Sequence, residues 1–172
     1  MLYKIRFADN KAFTLMELMI VIVIIGILSA VGMVMFGGQS EKAKIAAAKS
    51  NHKSVVKYIS AEVTKCELGE TSVMDGELLC SNANIGIKIA EAALRNANTS
   101  KTLSNIKNPY DTKVLALRKQ SGHTTGADAD VGYITVGGHN TIPLVAVNGC
   151  VALKCDPTPN RIWANLCFQA SC

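Results

Sequence analysis

The chain has 172 residues, a formal net charge of +5 and six cysteines. That length holds one globular domain beside a membrane segment, and the 108 residues after position 64 are enough for one modest core. So mild a positive balance does not by itself argue for nucleic acid, and an aromatic content of 5% does not suggest closely spaced rings for electron conduction.

Residues 1–12 read Met-Leu-Tyr-Lys-Ile-Arg-Phe-Ala-Asp-Asn-Lys-Ala. They carry Lys4, Arg6 and Lys11 against Asp9 and have no apolar core of their own. Residues 13–38 follow as an apolar span, free of proline and with Glu17 as its one ionisable side chain. As a helix, the 24 residues from Phe13 to Phe36 extend about 36 Å, enough to cross a hydrocarbon core of about 30 Å. A carboxylate in such a span is costly, about 2.5–3.5 kcal/mol at a helix centre. Its place near the helix start lowers that cost through the helix dipole, but the acid still calls for a partner. The basic leader marks the cytoplasmic side, so everything after the span is exported.

Residues 39–65 are rich in Ala and Lys, and from Glu41 to Lys65 they lack Gly and Pro. Ile45, Ala48, Val55, Ile59 and Val63 recur at steps of three and four, with His52 filling the gap, which predicts an amphipathic helix. Lys42, Lys44, Lys49, Lys53 and Lys57 cover its other faces, either as a solvated surface or as a basic face for anionic partners. If the helix runs on through Gly37-Gly38, it is one spine of about 50 residues, roughly 75 Å. Residues 66–111 are loop-rich, with a short helix predicted over Ile87–Asn96 and a turn at Asn108-Pro109-Tyr110-Asp111.

Residues 112–172 read as strands over Lys113–Arg118, Val131–Val136, Pro143–Val147, Val151–Lys154 and Arg161–Phe168. The expected fold class is α+β, with a long N-terminal α-helix packed on a C-terminal antiparallel β-sheet. Trp163, the single tryptophan, is assigned to core or disulfide packing ahead of a surface contact. Cys66, Cys80, Cys150, Cys155, Cys167 and Cys172 all lie in the exported part, where an even count reads as a disulfide framework. Cys66 with Cys80 closes a short loop. For the last four, Cys150–Cys167 with Cys155–Cys172, and Cys155–Cys167 with Cys150–Cys172, are both open. Zinc is the weaker reading, because the spacing is wider than in common zinc sites.

No phosphate loop, dinucleotide fingerprint, metalloprotease or serine-nucleophile motif occurs, and His52, His123 and His139 stand apart from one another. Asp111, Asp128 and Asp130 are weighed as calcium oxygens and read as solvated loop residues instead. We expect no cofactor, no metal and no catalytic activity.

The string Lys11-Ala12-Phe13-Thr14-Leu15-Met16-Glu17-Leu18, with a basic leader before it and an unbroken apolar run after it, resembles the type IV prepilin signature. The resemblance is close over about residues 11–45 and extends to the rest only in layout. It implies cleavage between Ala12 and Phe13 by a prepilin peptidase, followed by N-methylation of Phe13. It also implies pairing of Glu17 with the Phe13 amine of a neighbouring subunit. The family usually has Gly where this chain has Ala12, and often Pro where it has Val34; Gly26 matches a family glycine. In that layout residues 66–111 are the variable connecting region. The implied partners are other copies of the chain in a helical polymer, the inner membrane before assembly, and an assembly platform with its ATPase. The implied function is a pilus subunit for adhesion, twitching motility or DNA uptake. Alternatives are a type II secretion pseudopilin, a minor pilin, and a monomeric membrane-anchored binding module.

Overall fold

The computed structural model describes residues 13–36, 38–99, 101–120, 130–152 and 160–168. The chain divides into two compact units between Ser40 and Glu41. The first holds helix α1 (Leu15–Phe36), 22 residues or about 33 Å long. Large apolar side chains are exposed on every side of it, from Leu15 at 78% to Val21 at 49%. Over Leu15–Gly32 its mean hydropathy is 2.6, so it is long and apolar enough to cross a membrane. A helix that is hydrophobic all round has no water-facing side, and α1 offers none.

Helix α2 (Gln39–Glu67) follows and, from Glu41 on, belongs to the second unit. The expected single spine is divided into two helical elements, with Gly38 in a turn between them. Ala48, His52, Val55, Ile59 and Val63 form the buried stripe of α2, as their spacing requires. Lys42, Lys49, Lys53 and Lys57 are exposed, while Lys44 lies over the Tyr110 ring at 5.4 Å. The helix ends in a glycine cap. Gly69 adopts φ +99°, Glu70 N donates to Lys65 O (3.2 Å) and Gly69 N to Cys66 O (3.2 Å).

A small hairpin, β1 (Ser72–Val73) and β2 (Leu78–Leu79), follows. Its turn carries three successive positive φ values, at Met74 and Asp75 (both 56°) and Gly76 (87°). For Met74 that conformation is costly, and its surroundings hold it there. The side chain is fully buried, and its N–H donates to Glu62 Oε2. Its carbonyl accepts from Asn96 Nδ2 (3.1 Å), and Asn96 Oδ1 in turn accepts from Leu103 N (2.9 Å). Asn96 thus ties α3 (Gly86–Asn98) to the hairpin and to a 3-10 turn at Thr102–Asn105. The disulfide Cys66–Cys80, Cα–Cα 5.3 Å, closes the same corner as the cysteine spacing predicts.

The head sheet has the order β3 (Leu117–Lys119), β4 (Ile134–Gly138), β5 (Leu144–Cys150), β6 (Arg161–Cys167). β4, β5 and β6 are antiparallel neighbours, but β3 runs parallel to β4, so the expected wholly antiparallel sheet is corrected to a mixed one. Apolar alternation carries no strand direction. The clue is the long link from residue 120 to residue 133, a crossover rather than a hairpin. Two expected strands also shift. The Asp111 side chain caps a turn by accepting from Lys113 N (3.1 Å), which delays β3 to Leu117. β5 runs through Asn148-Gly149-Cys150, so Val151 and Ala152 lie past its end; residues 153 and 154 are outside the described set.

Leu117, Ile134, Val136, Val145 and Val147 face α2 and α3 and share one core with Val55, Ile59, Ile89 and Ala93. His52 closes one end of it, with Nε2 3.0 Å from Val147 O. The interval 66–111 is part of this core, supplying Val73, Met74, Leu78, Ile89 and Leu103. α3 starts against the β4–β5 loop. Gly86 N donates to Ile142 O and Ile87 N to His139 O, both at 2.9 Å, which satisfies its first turn without a side-chain cap. A Cβ on Gly138 would lie 2.0 Å from the Gly86 carbonyl carbon, so this contact requires glycine.

Cys150 and Cys167 are also in disulfides. The β5–β6 register sets Cys150 opposite Arg161 and Cys167 opposite Leu144. The two cysteines are thus six positions apart along the ladder, about 20 Å. A disulfide needs Cα atoms within about 7 Å, so the Cys150–Cys167 pairing is excluded. Cys155 and Cys172 lie outside the described residues.

Opening the 14-residue separation of Cys66 and Cys80 with the double Cys66→Ser, Cys80→Ser change is expected to cost about 3 kcal/mol of head stability, read by urea unfolding. Asp75 and Glu77 give a second expectation. The Asn96 amide, then Thr102, hold the Asp75 carboxyl below the usual range; Lys101, then Arg95, do the same for Glu77. Their contribution is present above the unfolded carboxylate pKa and is lost as pH falls through the lowered folded values. Thermal melts are therefore expected to fall steeply below about pH 4, and less steeply in Asp75→Asn.

Candidate functional site

The sequence motif falls at the first turn of α1. Thr14 directly precedes the helix, and its carbonyl accepts the first helical bond, from Leu18 N (3.2 Å). Its hydroxyl accepts from Glu17 N (3.2 Å) and donates to Glu17 Oε2 (2.9 Å). Glu17 Oε2 also accepts from Thr14 N (3.0 Å). This is a reciprocal capping box, Thr at the N-cap and Glu three residues on. It gives Glu17 a partner in its own chain, and it satisfies backbone donors that hydrocarbon would leave bare. Sequence reasoning looked for an intermolecular partner and missed this one, although Thr-x-x-Glu before an apolar run is its signal.

Both Thr14 bonds go to Oε2, and among the described residues Oε1 has no hydrogen-bond partner. One oxygen is committed to the helix start, while the other can take a further donor. Phe13, immediately before the cap, is 82% exposed. Ala12 and the rest of the leader lie outside the described residues, so the structure brings together Phe13, Thr14 and Glu17 but not the proposed scissile bond.

Elsewhere the expected chemistry is sparse. Asp130 is ion-paired with Arg118 and Asp111 caps its own turn, while Asp128 and His123 lie outside the described residues. His52 is buried on Val147 O, and His139 Nδ1 accepts from Thr141 N (3.3 Å). Among the described residues no group of three or more His, Cys, Asp or Glu converges. An open groove of about 490 Å³ between α3 and the sheet is lined by Ile87, Leu94, Lys119, Val136 and Leu144, with Glu91 directed to Lys88 (3.7 Å). Tyr110 is a structural link, its hydroxyl shared between Val151 O (2.8 Å) and Glu41 Oε1 (3.0 Å). Burial, then that carboxylate, push its pKa up to about 12.

Residues 8–33 match the prokaryotic N-terminal methylation motif. The chain therefore carries the prepilin motif at the segment where the capping box and the apolar helix meet. No curated protein and no solved structure matches the chain.

The cap has a direct test. Thr14→Val removes both hydroxyl bonds and is expected to cost the helix start about 1 kcal/mol. Amide exchange at Leu15–Glu17 in micelles should then run about fivefold faster, and Thr14→Ser should restore the wild-type rate.

Proposed function

We propose that this chain is a type IV pilin-like structural subunit. The precursor sits in the inner membrane through α1, is cut after Ala12, and is methylated at Phe13. An assembly platform and ATPase then move it into a surface filament. The reading is non-enzymatic: the chain works as a polymer.

The observation that carries this proposal is the division of labour at Glu17. Cleavage turns the Phe13 nitrogen into an α-amine of pKa about 7.7–8.0, largely cationic at neutral pH. In hydrocarbon an ammonium and a carboxylate gain most by pairing. The Thr14 cap occupies Oε2 and leaves Oε1 open to the amine of a neighbouring copy. One acid in the span, four residues on from the new terminus, sets a single stagger between adjacent helices. The methylation motif over residues 8–33 supports the processing steps, and the apolar surface of α1 supports helix bundling as the alternative to lipid. Adhesion, motility and DNA uptake are the uses of such a filament.

Glu17→Gln separates the two roles, because glutamine can still accept the cap bonds but carries no charge. The expected outcome is normal membrane insertion with at least a tenfold fall in sheared surface filament. Filament yield equal to wild type would reject the ion-pair mechanism, whereas no filament from either protein would favour a monomeric anchored protein. Mass spectrometry of the wild-type filament should show chains beginning at N-methylated Phe13. Processed chains confined to membranes would favour a secretion pseudopilin.

A further inference from the structure

One side of α2 is a row of lysines. Lys42, Lys49, Lys53 and Lys57 are all exposed. At about 100° per residue they fall within a sector of about 80°, roughly a third of a turn from the buried stripe. They extend about 22 Å along the helix, with Ala46 and Ser50 in the gaps, and no acidic residue shares the sector before Glu67. Among the described residues none of the four takes part in an ion pair, whereas Lys65, Lys88, Lys101 and Arg118 each do. Like charges four residues apart on a helix repel, as Lys49, Lys53 and Lys57 do, so the row is unfavourable until an anion meets it.

Three kinds of anion could do so. A second copy of the chain has little to offer: of the described head acids, only Glu67 and Glu70 lack an ion pair or a side-chain hydrogen bond, too few for four lysines. Nucleic-acid sites add arginine forks or stacked rings to their phosphate contacts, and the sector holds neither Arg nor an aromatic residue. A lipid surface asks only for diffuse positive charge, which ammonium groups on flexible stems supply. It is also the anion held nearest. Lys42 is six residues past Phe36, the last residue of α1, which is at most about 20 Å of extended chain.

We propose that the lysine face of α2 docks on the anionic headgroups of the membrane that α1 spans. The proposal rests on α1 being a membrane anchor and not on filament assembly. Attraction to charged headgroups reaches about one Debye length, about 10 Å at 0.1 M salt, so all four lysines contribute only when the whole row is close to the surface. Each lysine in reach raises the docked population about fivefold.

The full chain would be placed in nanodiscs of phosphatidylcholine, alone or mixed equally with phosphatidylglycerol, and pulsed with an uncharged acetylating ester. Mass spectrometry then reads each lysine. Lys49, Lys53 and Lys57 are expected to react at least fivefold more slowly in the anionic discs, while Lys88 and Lys113 react alike in both. High salt should remove the difference. Lys53→Glu should bring Lys49 and Lys57 to within about twofold of their rates in neutral discs, with unchanged circular dichroism. Glu17→Gln should behave as wild type. Equal rates at Lys49, Lys53 and Lys57 in the two discs, with the chain retained in both through gel filtration, would overturn docking and leave the anchor standing. Loss of the chain from both discs would overturn anchor and docking together. Slow acetylation in neutral discs that deepens with the number of copies per disc would make the face a contact between copies. Protection by a short DNA duplex but not by phosphatidylglycerol would assign it to nucleic acid, and either result overturns the proposal.

Discussion

Helix α1 cannot be left in water, and the polar chemistry of its first turn is arranged under that constraint. Its large apolar side chains are exposed on every side, and among the described residues of its own compact unit nothing covers them. Each fully apolar side chain left in water forfeits about 1.5–3 kcal/mol relative to burial. The helix therefore needs a bilayer, or other helices of its own kind. A helix suits both settings because its backbone bonds are internal and do not change with the solvent. What remains open is its first turn, and there Thr14 and Glu17 close two donors between them. The same carboxylate then becomes the one polar handle on an otherwise featureless rod.

The head solves a different problem, that of a small core. Its sheet is short and mixed, and the α3–sheet contact relies on backbone-to-backbone approach at Gly86 and Gly138. The other corner relies on a strained turn. Met74 holds a left-handed conformation because Glu62, Asn96 and its own buried side chain all require it. The Cys66–Cys80 bridge then shortens the unfolded loop around that turn. Glycine packing, polar bonding and a covalent staple thus each carry part of the burden that a larger domain would leave to hydrophobic area.

How much of this could be read beforehand depended on which physical signal each element gives. The apolar run, the α2 stripe through Val55, Ile59 and Val63, and the short helix near Ile87–Asn96 follow from helical period, and α3 extends only a few residues past its expected ends. The loop-closing disulfide followed from spacing. The parallel pairing of β3 did not, because residues 117–119 look the same whichever way they run. Trp163, assigned to core or disulfide packing, is 61% exposed, because Ile162, Ala164 and Leu166 take the inward positions of β6. The polar corner at Asn96 was invisible, since Asn in a helical segment reads as a loop signal until its partners Met74 and Leu103 are located. At the motif itself, Phe13 and Glu17 were singled out while Thr14, which links them, was passed over.

The two faces of the head sheet have different freedoms. Positions facing α2 and α3 are tied to volume: changing Val136, Val145 or Val147 leaves a cavity or a clash, at about 1–3 kcal/mol for a modest change. Of the outward positions, Trp163 and Asn165 are exposed and answer mainly to strand propensity and solvent, while Thr135 is 4% exposed. Asn148 and Asn165 illustrate this freedom. Asparagine is a poor strand former, and two of them in adjacent outward rows beside an exposed tryptophan are not what sheet stability alone would select. Strands β5 and β6 can afford them because their inward residues, Val145, Val147 and Leu166, pack against the core. The strand period of two thus puts Val145, Val147 and Leu166 against the core while it leaves Trp163 and Asn165 at the surface.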